Sequence, residues 1–237
     1  MIEFSNVTKM YNHNVGIENV SIKINEGEFV FLVGPSGAGK STFIKLILKE
    51  IEPLKGSIKV KGKEITKMPN REIPELRKNI GMVFQDFRLL PKKTVYENVA
   101  FAMEVVHKTK RTIRRHVPEA LRLVGISDKA DRYPDELSAG EQQRVAIARA
   151  IINSPRVLIA DEPTGNLDPD TAWEIMMLLD EINRKGTTIV MVTHSKDIVD
   201  RMGKRVVVIE DGHIVRDDIG SYDASESIAV NAGGPNV

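Results

Sequence analysis

Gly34-Pro35-Ser36-Gly37-Ala38-Gly39-Lys40-Ser41-Thr42 is the stretch from which the rest of the chain can be placed. An apolar, β-prone run precedes it, Glu28-Phe29-Val30-Phe31-Leu32-Val33, and a helix-prone run follows, Thr42-Phe43-Ile44-Lys45-Leu46-Ile47-Leu48. A strand, a glycine-rich turn and a helix start together make a phosphate site. The glycines let backbone N–H groups converge on oxygen atoms, and the positive end of the helix dipole points to the same place. Lys40 adds a full charge near the β- and γ-phosphates, and the Ser41 hydroxyl suits a Mg²⁺ ion. The spacing G-x-x-x-x-G-K-[ST] between a strand and a helix identifies a nucleotide-binding P-loop.

A chain of 237 residues fits one large domain, or a core with a smaller subdomain. Its net charge of +1 gives no global drive toward nucleic acid or membrane, so such a partner must be met through a local patch. No nucleic-acid partner is expected. The absence of cysteine excludes disulfides, thiolate zinc sites and a cysteine nucleophile. The first residues lack the basic-then-apolar order of a signal peptide, and no apolar run approaches the roughly 20 residues that span a bilayer. A soluble, cytoplasmic protein is the expectation.

Residues 2–11 and 17–24 alternate apolar and polar around Asn12-His13-Asn14, which predicts an antiparallel hairpin. Further strands are predicted at 57–61, 80–84, 157–160, 187–192, 205–210 and 213–216, and helices at 71–79, 94–106, 110–124, 138–153, 170–184 and 195–202. Alternation of strand and helix implies an α/β fold with a largely parallel sheet and right-handed crossovers. The helical run is predicted as a subdomain inserted at about 86–153, within a domain spanning 1–222. Residues 223–237 are polar and small, and read as a flexible tail.

Val157-Leu158-Ile159-Ala160 runs into Asp161-Glu162, placing two acids at the carboxyl edge of a parallel sheet. Asp161 suits Mg²⁺, which wants oxygen ligands. Glu162 can polarise a water for attack on the γ-phosphate. His194 ends a second buried strand, so it can approach the phosphate from beside Glu162 and hold the water in line. Leu137-Ser138-Ala139-Gly140-Glu141 opens a helix and has the Ser-x-x-Glu form of a capping box. A helix N-terminus is also an anion site.

Taken in order, the P-loop, Gln85 after a strand, LSAGEQQRVAIARA at 137–150, VLIADEPTGNLDP at 157–169 and VTHS at 192–195 resemble an ATP-binding cassette (ABC) ATPase subunit. The resemblance spans about residues 1–216. It implies a P-loop NTPase core with an N-terminal antiparallel β subdomain, and ATP and Mg²⁺ as ligands. It also implies a head-to-tail homodimer with ATP between the P-loop of one copy and Ser138, Gly140 and Glu141 of the other. Tyr11 then resembles the aromatic that stacks on adenine, Gln85 the glutamine that senses Mg²⁺ and the attacking water, and Asp168 the aspartate at the dimer interface. One departure stands out: Ala139 occupies a position where the family usually has glycine. Helical backbone there makes the change cheap, whereas positive φ would strain it.

Arg77 to Leu90, followed by Thr94-Val95-Tyr96-Glu97-Asn98-Val99, resembles the cell-division branch of that family. That branch implies an integral membrane partner controlling cell-wall hydrolases, a place at the cytoplasmic face of the membrane, and contact with the cytoskeletal division machinery. A groove near Phe87, Leu89 and Leu90 would receive a helix of the membrane partner. Lipoprotein-release and efflux ATPases share most of these motifs and form the alternative. Lys108, Lys110, Arg111, Arg114 and Arg115 form a basic run that suits anionic lipid, an acidic partner or a solvated face.

Overall fold

The computed structural model describes residues 1–11 and 16–223. In chain order the elements are β1 (Ile2–Met10), β2 (Gly16–Ile24), β3 (Phe29–Val33), α1 (Lys40–Ile47), β4 (Lys55–Val60), β5 (Lys63–Glu64), α2 (Ile73–Lys78) and β6 (Ile80–Val83). There follow α3 (Val95–Val105), α4 (Lys110–Leu123), α5 (Ala139–Ile151), β7 (Val157–Asp161), α6 (Pro169–Arg184), β8 (Thr188–Val192), α7 (Lys196–Met202), β9 (Arg205–Glu210) and β10 (His213–Ile219).

Two sheets organise them. The larger has the order β10-β9-β3-β8-β7-β6, parallel except for the β10 edge. Its central strands are near-continuous apolar runs because both faces are covered. Phe29, Phe31 and Val33 of β3 face one core, shared with α3, α4, α5 and α6, while Val30 and Leu32 face another. That second core holds α1 and the smaller sheet, ordered β2-β1-β4-β5 and antiparallel. Phe4 of β1 stacks on Phe43 of α1 with ring centroids 4.4 Å apart, fastening the small sheet to the P-loop helix.

The hairpin of β1 and β2 is as the alternation predicts, although Asn12, His13 and Asn14 fall outside the described residues. Two expectations need amending. Lys63–Glu64 forms a short strand that no apolar pattern announces, held by pairing to β4. The last strand runs on to Ile219 instead of ending at 216, because Arg205 on β9 grips Asp217 with two bonds, 2.6 and 2.8 Å. Of the predicted tail, only Asp223 is described, in an ion pair with Lys196 at 2.8 Å; residues 224–237 lie outside the described residues.

Candidate active site

β3 ends in Gly34, whose φ of 140° and closeness to β9 leave no space for a side chain: a Cβ there would lie 2.0 Å from the Ile209 carbonyl oxygen. Gly39 (φ 112°) is the N-cap of α1, and a Cβ on it would lie 2.2 Å from the Gly16 carbonyl oxygen. Backbone alone can make this turn. No side chain caps α1, and its first turn holds no acid, so its amide groups stay available to an anion.

Around the loop lies a cleft of about 350 Å³. Tyr11, Ser36, Gly37, Gly39, Lys40, Ser41 and Thr42 line one side, and Asp161, Glu162, Val192 and His194 the other. Gly34, Pro35 and Ala38 complete the loop behind it. Lys45 also lines the cleft. No motif marks it in the sequence, although it follows Ser41 by one helical turn and so shares its face.

Lys40 is nearly buried and donates Nζ–H bonds to the carbonyl oxygens of Gly34 (2.7 Å) and Pro35 (2.8 Å). Burial holds its pKa below the ordinary lysine value, against the pull of Glu162 and Asp161. Asp161 is shifted the other way: burial first, then repulsion from Glu162, raise its pKa, and Lys40 partly offsets them. Two carboxylates thus face one ammonium in a partly dry place. Such a site is short of positive charge, which fits a divalent cation. Among the described residues no three His, Asp or Glu side chains converge to cage a metal. Mg²⁺ therefore fits here in its usual manner, on one or two protein oxygens with phosphate and water completing the shell.

The main chain turns sharply after β7. Glu162 has φ +47°, a left-handed conformation that costs a residue with a Cβ about 1–2 kcal/mol. Its N–H bonds to the Val192 carbonyl at 3.0 Å, locking the turn against β8. The carboxylate then meets His194: Oε1 and Nε2 are 3.2 Å apart. His194 itself is held between the end of β8 and the start of α7, where Ser195 caps the helix by accepting from Ile198 N–H.

Five predicted residues lie elsewhere. Gln85 is exposed beyond β6, and its amide packs against Gly165, where a Cβ would lie 3.0 Å from Nε2; its carbonyl accepts from Asn166. Ser138, Gly140 and Glu141 open α5 and do not line the cleft. Ser138 and Glu141 form the predicted capping box, with N–H to Oε2 at 2.8 Å and N–H to Oγ at 3.3 Å. The Ser138 amide bond holds the Glu141 carboxyl below its ordinary range. Ala139 is the first residue of the helix and has no positive φ, so its replacement of glycine carries no strain. Gly140 has a packing reason of its own, since a Cβ there would meet the Thr171 methyl at 2.4 Å. Asp168 caps α6 by accepting from Thr171 N–H, and it is Thr171 that packs at the start of α5, against Gly140.

A second hollow, about 850 Å³ and mostly apolar, opens between α2, β6, α3 and α5. Phe84, Leu90, Phe101 and Val105 line it with Arg77, Lys78, Arg88 and Arg149. Leu90 thus stands where a groove was expected. Phe87 does not line it, and Leu89 packs into the core instead. Arg149 bonds the carbonyls of Phe87 (2.7 Å) and Arg88 (2.5 Å), and buried Asn98 bonds both backbone groups of Leu90. These two side chains fix the loop that leads from Gln85 to the groove. Neither was picked out from the sequence, where a buried polar residue carries no periodic mark.

Residues 17–165 match the family described as ABC transporter. The chain is 57% identical over 228 residues to the cell division ATP-binding protein FtsE of Bacillus subtilis, covering 94% of this chain and all of that one. Its likeness to FtsE of Mycobacterium tuberculosis is 56% over 220 residues, 92% of this chain and 96% of the relative. Among solved structures, the dimeric ATP-binding cassette MJ0796 in a post-hydrolysis state with ADP and Pi superposes with a TM-score of 0.81 and 36% identity, covering 92% of this chain and 98% of that one.

Proposed function

The chain belongs to the ABC transporter family of ATPases, and from that premise we propose that it is the ATP-hydrolysing subunit of an FtsE–FtsX-like cell-division complex. It is an ATPase with the α/β P-loop architecture of the family. The observation that carries the catalytic reading is the Glu162–His194 pair, 3.2 Å apart across the cleft from Lys40.

Lys40 exchanges its loop carbonyls for β- and γ-phosphate oxygens when ATP enters. The Ser41 hydroxyl and Asp161 would hold Mg²⁺, which would supply charge neutralisation at the phosphates, and Gln85, outside the cleft in this structure, would sense the ion and the attacking water from beyond β6. Tyr11 stacks on the adenine. The Glu162 carboxylate accepts a proton from water, and His194 donates to the γ-phosphate to keep the attack in line. A bond forms between the water oxygen and the γ-phosphorus as the β–γ bridge breaks, with positioning and electrostatics doing most of the catalysis. Ser138, Gly140 and Glu141 lie outside the cleft of their own chain, which supports their service to the γ-phosphate of a second copy, with Asp168 at the interface. The dimeric state of MJ0796 is in keeping with that arrangement.

ATP-driven closure then acts on an integral membrane subunit of the FtsX kind that controls cell-wall hydrolases. The apolar groove at Leu90 and Phe101 is where a partner helix docks, and contact with the division cytoskeleton belongs to the same reading. Among the described residues no helix is long and apolar enough to cross a membrane, so the chain would reach its inner face through that subunit. The FtsE relatives favour this over a lipoprotein-release or efflux transporter. Glu162→Gln tests the chemistry: turnover should fall by about 10²–10⁴-fold while ATP still binds. Turnover near that of the wild type removes Glu162 from its role.

A further inference from the structure

The basic run that begins at Lys108 and continues along α4 plays no part in the reaction and breaks a rule of helix electrostatics. Lys110 and Arg111 stand in the first turn of α4, which contains no acid, so both oppose the positive end of the helix dipole. From Val105 to Pro118 there is no acidic residue at all. Lys108, Lys110, Arg111, Arg114, Arg115 and Arg122 are exposed, while Ile113, Val117, Ala120 and Leu121 bury another face of the helix. Among the described residues Arg115 alone of the run forms an ion pair, at 3.8 Å to Glu119.

The charges are spread along a 14-residue helix, about 21 Å, and none of them lines the nucleotide cleft or the apolar groove. A row of long, exposed cations strung along one helix suits a fluid anionic surface better than one folded acidic protein. The row also begins where the apolar groove ends. Phe101 and Val105 of α3 line the groove and remain exposed, and the chain then turns at His107 (φ +58°) into Lys108 and α4. Exposed apolar groups beside a basic helix form the pattern of an interfacial contact.

We infer that α4 and the turn before it form a docking face for anionic lipid headgroups, holding the chain at the membrane independently of its protein partner. This rests on the proposed function only for the direction in which the groove faces. The test is co-sedimentation of the full chain with vesicles of phosphatidylcholine alone and of phosphatidylcholine mixed with phosphatidylglycerol, using wild type and the triple variant Lys110→Gln, Arg111→Gln, Arg114→Gln. The wild type should bind the anionic vesicles alone, and less as salt rises. Each cation removed should weaken binding roughly fivefold, so the triple variant loses on the order of a hundredfold. Its ATPase turnover should be unchanged, because none of the three lines the cleft. Failure to bind anionic vesicles, equal binding to neutral ones, or equal binding by the triple variant overturns the inference. So does tight capture of soluble polyglutamate by a chain that ignores the vesicles, which would assign the face to an acidic protein. ATPase turnover in the same preparations reads the proposed function separately.

Discussion

Two helix starts in this molecule handle the same problem in opposite ways. At α1 the N-cap is Gly39, with no side-chain cap and no acid in the first turn. At α5 the N-cap is Ser138, and a complete capping box gives the Ser138 and Glu141 amides side-chain acceptors that α1 lacks. The first is prepared for a phosphate and keeps a nearly buried lysine beside it. The second already has a carboxylate of its own. An anion arriving at α5 must share the place with Glu141, which makes α5 suited to a contact that forms and releases, while α1 suits one that persists.

The contrast can be broken from either side. Lys40→Ala should do most damage, weakening nucleotide binding and lowering turnover by about 10²–10³-fold, the range for loss of one preorganised donor. Steady-state kinetics and a fluorescent nucleotide titration read it. Ser138→Arg should separate the two helices: ATP still binds the single chain, with affinity within about twofold, yet turnover falls more than about tenfold because the second copy cannot close. A matching loss of binding in the single chain would place Ser138 in its own site. Ser138→Ala should cost about 1 kcal/mol of stability as the cap is lost, or about 2–4 °C in Tm.

Smaller effects sharpen the picture. Glu141→Gln keeps the capping box but removes the competing charge, so ATP-induced association should strengthen by about two- to fivefold. Burial and repulsion from Glu162 raise the pKa of Asp161, so its ionised form is disfavoured in the folded chain. Its contribution to stability is fully present below the ordinary aspartate pKa and is lost as pH rises through the raised value. Asp161→Asn should therefore raise the Tm of the nucleotide-free protein at pH 7, by about 2 °C, with the gain vanishing on acidification. No gain at pH 7 would mean that the site tolerates its two carboxylates without cost.

Much of this was legible in the residues because the central strands are buried on both faces. Runs such as Val157 to Ala160 and Thr188 to Val192 are apolar throughout, and the acids and histidine that end them mark the sheet edge where ligands bind. The capping box at Ser138 was legible for the same local reason. What escaped notice depends on contacts distant in sequence. Asp217 and Asp218 are strand residues only because Arg205 and the partner strand hold that edge, and Lys63–Glu64 pairs without burying anything. Asn98 and Arg149 satisfy backbone carbonyls of a loop whose path no local pattern foretells. The left-handed backbone of Glu162 follows from its bond to Val192, thirty residues on.

The central claim is that the P-loop cleft is half of a site completed by the start of α5 in a second copy. Sedimentation velocity of the Glu162→Gln chain, with and without ATP, tests it most directly, since ATP binds there and is not consumed. The expected result is a monomer without nucleotide, a dimer with ATP, and no dimer when Ser138→Arg is added. A chain that stays monomeric at saturating ATP, or a Glu162→Gln, Ser138→Arg double variant that still dimerises, would contradict it.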